Sequence, residues 1–511
     1  MGHTKLAAFT LAALLIADAS ASGTLDDPTI WVEHVENDLL PFWSEARAGR
    51  DAGNFPGQLC NDGSLPDPAV PCNGVTAWQA SNPVQTIVGQ SRQVFSYAVA
   101  FHLTGNPEYL NQAKAGIDYQ VSTFFDPATG LYRQKYNELS GALSPSASNP
   151  NSQKQAYGLL GPTFYYYLTG DTEVYEHIRT VQTAIDAAFR DPISGSYGAR
   201  MTTAPGISHI VYTLDQLNSY QVLLAAQAPV GDRAELTEAA LGAARFLVDE
   251  HFDQTTGLMK PYPTDDDGVA EDYGHSIKAF WFIDQIARAA GDADLSAFAT
   301  DKAKDLLELA LQDNGAWAGS QDENGTQAGS TDWWTHAELD QFGAALAIND
   351  PDLRDDIEKA LDYWLLNFVD SGSGGIFARV DLDGNAMTQL AKHWEWKAGF
   401  HAYEHALMAA LSAAAIGDLE IDLFFTGTAP SATNGNLAYG ISGTLVSTSR
   451  QQILGDGTVI VRSSYKNLGY GLTAAPVPLT GAGGFLAGSL AFFALWRRRG
   501  MGGTSTLAST T

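Results

Sequence analysis

A closed barrel of six helical hairpins, (α/α)6, is the all-α fold class this chain predicts. A small β module follows it, and an apolar span lies near the C-terminal end. Three observations carry that reading. A turn signature recurs about every sixty residues, at Asp126, Asp191, Asp253, Asp313 and Asp370, with a helical stretch on each side. The stretches after the turns are the more apolar set, for example 337–348 and 402–416, as expected of an inner ring. Apolar residues make up 45% and aromatic residues 11%, enough for a large core and too many for a disordered chain.

The elements follow in chain order. Lys5, an apolar run 6–17 and Ala19-Ser20-Ala21 have the form of a secretory signal peptide occupying 1–21. Export favours a disulfide between Cys60 and Cys72, the two cysteines of the chain. So few cysteines exclude a cysteine-built zinc or iron–sulfur site.

The helical domain is expected over 28–417. Helices before the turns are placed near 30–48, 107–124, 171–189, 232–251, 293–311 and 351–368. Their starts carry capping residues such as Asn106-Pro107, Gly170-Asp171 and Gly291-Asp292. Their ends carry an Asp followed closely by Gly, a helix stop and tight turn. Gly53-Asn54-Phe55 is a worn version of that turn. Helices after the turns are placed near 84–103, 153–169, 212–228, 273–290, 332–348 and 393–416. An open superhelix is the alternative, but it would need polar capping repeats, and none is evident.

Beyond Gly417 the pattern becomes β-branched or alternating at 423–425, 437–445 and 458–462, which predicts a β module over 418–474. The segment 475–499 holds eighteen uncharged residues, Leu479 to Trp496, and then Arg497-Arg498-Arg499. That is enough to span a bilayer core, with the arginines on the cytoplasmic side. With Ala475-Pro476-Val477-Pro478 before it, the segment resembles an exosortase-type sorting signal. The resemblance implies a membrane-held precursor processed by a sorting protease onto the cell surface.

Charge excludes one class of partner. The 58 acidic residues against 29 basic ones give a formal charge of −29, which repels phosphate backbones and leaves no nucleic-acid partner. Neutral sugars fit better.

Candidate chemistry gathers where the inner helices begin. Arg92 lies in Gln90-Ser91-Arg92-Gln93, His275 in Gly274-His275-Ser276, Glu338 in Trp333-Trp334-Thr335-His336-Ala337-Glu338, and His401 after Phe400. Trp333, Trp334, Trp394 and Trp396 suit stacking on the apolar C–H faces of sugar rings, and Tyr97 follows Arg92. Taken singly, each has a structural explanation. Jointly they converge if the barrel closes.

These motifs, in this order, resemble the N-acylglucosamine 2-epimerase family, which includes cellobiose 2-epimerases and mannose isomerases. The matching segments are Gln90–Tyr97, Gly274–Ile277, Trp333–Glu338 and Phe400-His401, and the resemblance spans roughly 28–417. It implies an (α/α)6 barrel and a sugar epimerase or isomerase. Such an enzyme moves a proton at the carbon beside the carbonyl, with no cofactor and no metal. His275 and His401 would be the acid/base pair, Arg92 would stabilise the anion, and Glu338 would orient a histidine or hold a hydroxyl. Trp333, Trp334, Trp394, Trp396 and Tyr97 would bind the substrate. The chain departs from the family pattern at Lys278, where the family usually has Glu, at Asn218–Gln221, and at Glu404, or His405 one place on, where the family has Arg. These departures mark a divergent member, and the leader and C-terminal segment an exported one.

Two other readings stay open at this point. A glycoside hydrolase or polysaccharide lyase could use a pair drawn from Glu271, Asp272, Glu338 and Glu395. A non-catalytic glycan-binding surface protein would tolerate the departures.

Overall fold

The computed structural model describes residues 23–45, 53–67, 72, 84–138, 140–144, 151–191, 197–198, 228–260, 272–322, 325–429 and 435–471. The first outer helix runs as α1 (Pro28–His34), a π turn and α2 (Leu40–Glu45). Inner α3 (Ile87–Thr104) and outer α4 (Pro107–Phe124) follow. Inner α5 (Ser152–Thr169), outer α6 (Thr172–Phe189) and outer α7 (Val230–Phe246) come next. Inner α8 (Tyr273–Ala290), outer α9 (Ala293–Ala310), inner α10 (Trp333–Asn349), outer α11 (Arg354–Tyr363) and inner α12 (Phe400–Ile416) complete the set.

Helix starts follow the capping residues. Asn106, Asp171, Asp272 and Asp292 accept hydrogen bonds from backbone N–H groups of the first turn. The recurrent turns are built alike. Gly130, Gly257 and Gly374 donate N–H to the carbonyls of Asp126, Asp253 and Asp370, each at 2.8 Å. The fourth turn is tighter by a residue, with Gly315 N–H donating to Gln312. Gly315 has φ +87, and a Cβ there would lie 2.3 Å from the Lys359 carbonyl oxygen, so both its conformation and its space demand glycine.

The ring closes. Phe400 at the start of α12 packs edge-on against Phe95 of α3, with centroids 4.9 Å apart. Trp31 of α1 packs on His405 of α12 at 5.1 Å. The last inner helix therefore touches the first hairpin, and the open superhelix is set aside. Inner α3 and α5 are buried almost all round, as expected of helices enclosed on every side.

One helix boundary differs from expectation. The sixth inner helix begins at Phe400 and not at 393. Residues 392–397 are instead pinned by tertiary hydrogen bonds. Lys392 Nζ donates to Asp370 Oδ2 (2.7 Å), and Lys397 Nζ donates to the Ile376 carbonyl (2.8 Å). The His393 ring is held between Trp43 Nε1 and the Pro56 carbonyl, 3.0 Å from each. These contacts outweigh local helix propensity. Cys60 and Cys72 are joined as a disulfide, with Cα atoms 5.3 Å apart.

The β module is an antiparallel sheet of β1 (Ile421–Thr426), β2 (Ile441–Ile453) and β3 (Val459–Tyr470), in the order β1-β3-β2. Ala438–Gly440 forms a 3-10 turn where a strand was expected. The sheet is not a separate appendage. It lies across the C-terminal ends of the inner helices. The Phe424 carbonyl is 3.0 Å from His102 Nδ1, Thr426 Oγ1 donates to the Thr169 carbonyl, and Tyr470 Oη donates to Asp284 Oδ2.

No helix among the described residues is long and apolar enough to cross a membrane. The leader 1–21, all but the last residue of the inner helix expected at 212–228, with Asn218–Gln221, and also Glu271 and the span 479–496 lie outside the described residues.

Trp31 is fully buried and its Nε1 donates to the Thr24 carbonyl at 2.7 Å. Trp31→Ala should therefore cost about 3–5 kcal/mol of stability. Urea unfolding followed by circular dichroism measures this, and a loss under about 1 kcal/mol would contradict the closure described.

Candidate active site

Four inner helices present a polar side chain at the same place. Arg92, Tyr157, Lys278 and Glu338 are each the sixth residue of their helix. A shared position on helices of one ring puts the side chains at one depth. The contacts run around the barrel. The Arg92 guanidinium stacks over the Tyr157 ring at 4.2 Å. Lys278 Nζ is 3.1 Å from Tyr157 Oη and 3.4 Å from Glu338 Oε1. Glu338 Oε1 is 3.2 Å from His401 Nδ1. Arg92 also donates to the Trp396 carbonyl and faces the Phe400 ring at 5.4 Å, completing the circuit.

Glu404, one turn beyond His401 on α12, joins this cluster. Donor atoms of Glu338, His401 and Glu404 lie within 4.8 Å of one another, and all three residues are buried. Burial, and then the charge of Glu338, push the Glu404 carboxyl up to about 8. Lys278 and Arg92 pull in the opposite direction. Three such donors could in principle hold a cation. Here the Lys278 ammonium already stands beside Glu338, and Glu404 keeps its proton at neutral pH. The trio has the character of a proton-handling cluster more than of a metal site. Two of the three departures read from the sequence, Lys278 and Glu404, thus meet around Glu338.

His275 lies nearer the mouth, with its side chain about one-fifth exposed. Asp272 both caps α8 and accepts from the His275 ring, with Nδ1 at 2.6 Å from Oδ2. A carboxylate there keeps the proton on Nδ1 and makes Nε2 the basic nitrogen. Trp334 bridges the two histidines, with His275 at 4.6 Å and His401 at 6.3 Å between ring centroids. Trp333 packs on His401 at 6.1 Å and on Trp394 at 5.3 Å. Trp396 sits over Arg92 and Lys154.

The sequence-based candidates sort plainly. Arg92, His275, Glu338, His401, Trp333, Trp334, Trp394 and Trp396 come together at one end of the barrel. Tyr97 does not join them. It lies between the helix layers, its ring 5.2 Å from Phe55 and its Oη donating to the Trp43 carbonyl. The reason is helical geometry, since five residues beyond Arg92 is about 140° around the helix. Trp394 and Trp396 are on the loop before α12, not on the helix. Of the carboxylates considered for a hydrolase, Asp272 caps α8 and holds His275, while Glu395 pairs with Lys154 at 2.8 Å and Lys135 at 3.4 Å. Tyr157 was missed. Its signal was present all along in its helix position, shared with Arg92.

Comparison with known proteins bears on the family and the fold. Residues 77–409 match the N-acylglucosamine 2-epimerase (GlcNAc 2-epimerase) family. The chain belongs to that family. It is accordingly an enzyme of the carbohydrate epimerase and isomerase class. A cellobiose 2-epimerase from Bacteroides fragilis is 21% identical over 386 residues, covering 71% of this chain and 93% of that protein. The cellobiose 2-epimerase structure from Spirochaeta thermophila aligns with a TM-score of 0.64 at 18% identity, covering 76% of this chain and 97% of that one. A D-mannose isomerase structure aligns at 0.62 with 14% identity, covering 76% and 98%. At such identities the structural likeness speaks for the fold, an (α/α) barrel.

Glu404 binds its proton more tightly in the folded protein than in the unfolded chain, where a glutamate titrates near 4. Its contribution to stability is therefore full below about pH 4 and is lost as pH rises toward about 8. Glu404→Gln keeps a neutral hydrogen-bonding group, so stability should fall less steeply from about pH 5 to about pH 8 than in the parent. Urea midpoints across that range give the comparison, and parallel curves would refute the assignment.

Proposed function

We propose that this enzyme epimerises or isomerises a mono- or oligosaccharide by moving a proton at the carbon beside the sugar carbonyl. One observation carries the reading: His275 and His401 flank Trp334, with Glu338 beside His401 and Arg92 facing the adjoining Phe400 ring. The open-chain aldehyde acidifies the neighbouring C–H. One histidine removes that proton and leaves an enediolate-like anion. The other returns a proton on the opposite face for epimerisation, or to the neighbouring carbon for isomerisation.

Each neighbour has a task in this scheme. Asp272 holds the His275 tautomer, as Glu338 steadies the charged form of His401 through Nδ1. Arg92, buried and stacked on Tyr157, offers a fixed positive charge to the anionic oxygen. The tryptophans around His401 and Arg92 give apolar faces for sugar C–H groups.

The same proposal places the enzyme outside the cytoplasm, held by the segment 475–499 and handed to an exosortase-type protease. The leader-like residues 1–21 and the Cys60–Cys72 disulfide support that placement, since such bonds persist in oxidising compartments. Mass spectrometry of the native protein should find a mature N-terminus at Ser22. An intact Met1 on cytosolic protein would reject export.

Chemistry is tested by isotope exchange. Incubation with substrate in heavy water should place deuterium at the carbon beside the carbonyl. His401→Ala should slow that exchange by about 10²–10⁴-fold, and Arg92→Ala should slow it too. Fold should survive both changes, as judged by circular dichroism. No exchange across amino sugars, mannose and β-linked disaccharides would sink the epimerase reading, and shortened oligosaccharides would favour a hydrolase.

A further inference from the structure

Tyr439 belongs to the β module, yet its side chain ends in the candidate active site. Its ring is buried and stacks on Trp281 of α8, with centroids 5.2 Å apart and planes at 24°. Its hydroxyl donates to Glu404 Oε1 at 2.6 Å. The backbone holding it is unusual. Tyr439 has φ +58 and ψ 31, a left-handed conformation that bulky residues rarely adopt. The turn is held in that shape from several sides. Ala438 N–H donates to Tyr167 Oη of α5 at 3.0 Å, and Leu437 N–H donates to the Ile441 carbonyl at 2.9 Å. The flanking sheet is anchored through Tyr470 on Asp284 and through the Tyr470 carbonyl, which accepts from Asn349 Nδ2 at 2.8 Å.

The geometry points to Tyr439 as a positioning residue: it reaches up through the barrel floor and fixes which oxygen of Glu404 carries a proton beside Glu338 and His401. The inference rests on the epimerase reading of that cluster. The argument is one of donors and acceptors. A tyrosine hydroxyl has one proton to give, and here it goes to Oε1. A protonated Glu404 must then carry its own hydrogen on Oε2. That oxygen is buried and has no hydrogen-bond partner among the described residues. Four ionisable groups face Glu404 besides Tyr439: Glu338, His401, Lys278 and Arg92. Tyr439 favours the ionised form of Glu404, whereas burial and Glu338 oppose it. The β module is on this account the floor of the active site, and it acts on His401 through Glu404 and Glu338.

Tyr439→Phe in the full-length protein tests this, because the ring still fills its place on Trp281 and only the hydroxyl is lost. Glu404 is followed by infrared titration of its protonated carboxyl band, identified by its disappearance in Glu404→Gln. Loss of the donor should raise the midpoint by about one pH unit, the size of a hydrogen bond to a charged group. The high-pH limb of kcat should move up by a similar amount and kcat should fall, while KM stays unchanged, because Tyr439 touches no substrate. In the Glu404→Gln background the same Tyr439→Phe change should leave the pH profile where it was. An unshifted carboxyl midpoint would overturn the inference whatever the activity. A shifted midpoint in a protein whose parent exchanges no deuterium would uphold the positioning and remove only the epimerase reading.

Discussion

Phe400 meets Phe95 across some three hundred residues of chain, and the first and last hairpins are thereby joined. That contact is where the ring shuts, and the site depends on it. Arg92 comes from the first hairpin, Tyr157 from the second, and Lys278, Glu338 and His401 from the later ones. None of them is near another in sequence. An open array of the same hairpins would leave each polar group facing solvent or a single neighbour. Closure instead turns equivalent positions into a circuit of contacts between 3.1 and 4.2 Å.

Burying that many charges is costly unless they offset one another. The circuit does so by alternation. Two cations, Arg92 and Lys278, stand among two carboxylic residues, and one of these, Glu404, keeps its proton. Lys278 and Glu404 are two of the three departures read from the sequence. Both side chains face Glu338. Divergence of this kind adjusts the electrostatics of a pocket without emptying it.

The β module belongs in the same account. Its hydrogen bonds to the ends of four inner helices seal the barrel opposite the mouth. Water that entered from below would screen the cluster and weaken every interaction in it. A floor built from a sheet also allows one side chain, Tyr439, to enter along the axis.

Much of this was legible in the chain itself. The recurrence of Asp and Gly about every sixty residues, with capping residues between, marked the turns and most helix starts among the described residues, because turns and caps are set by local backbone chemistry. Motif order pointed to the family. Other features were decided by tertiary structure alone. The loop 392–399 reads as helix by composition, but distant carbonyls and carboxylates capture its lysines and histidine. Tyr97 reads as a pocket residue by proximity to Arg92, but rotation about the helix turns it toward the outer layer. Tyr439 carries no signal, since its role exists only where a left-handed turn, a sheet and the far end of a barrel coincide. Local interactions act within a few residues and leave marks at fixed spacing, while long-range packing selects partners whose separation in the chain is arbitrary.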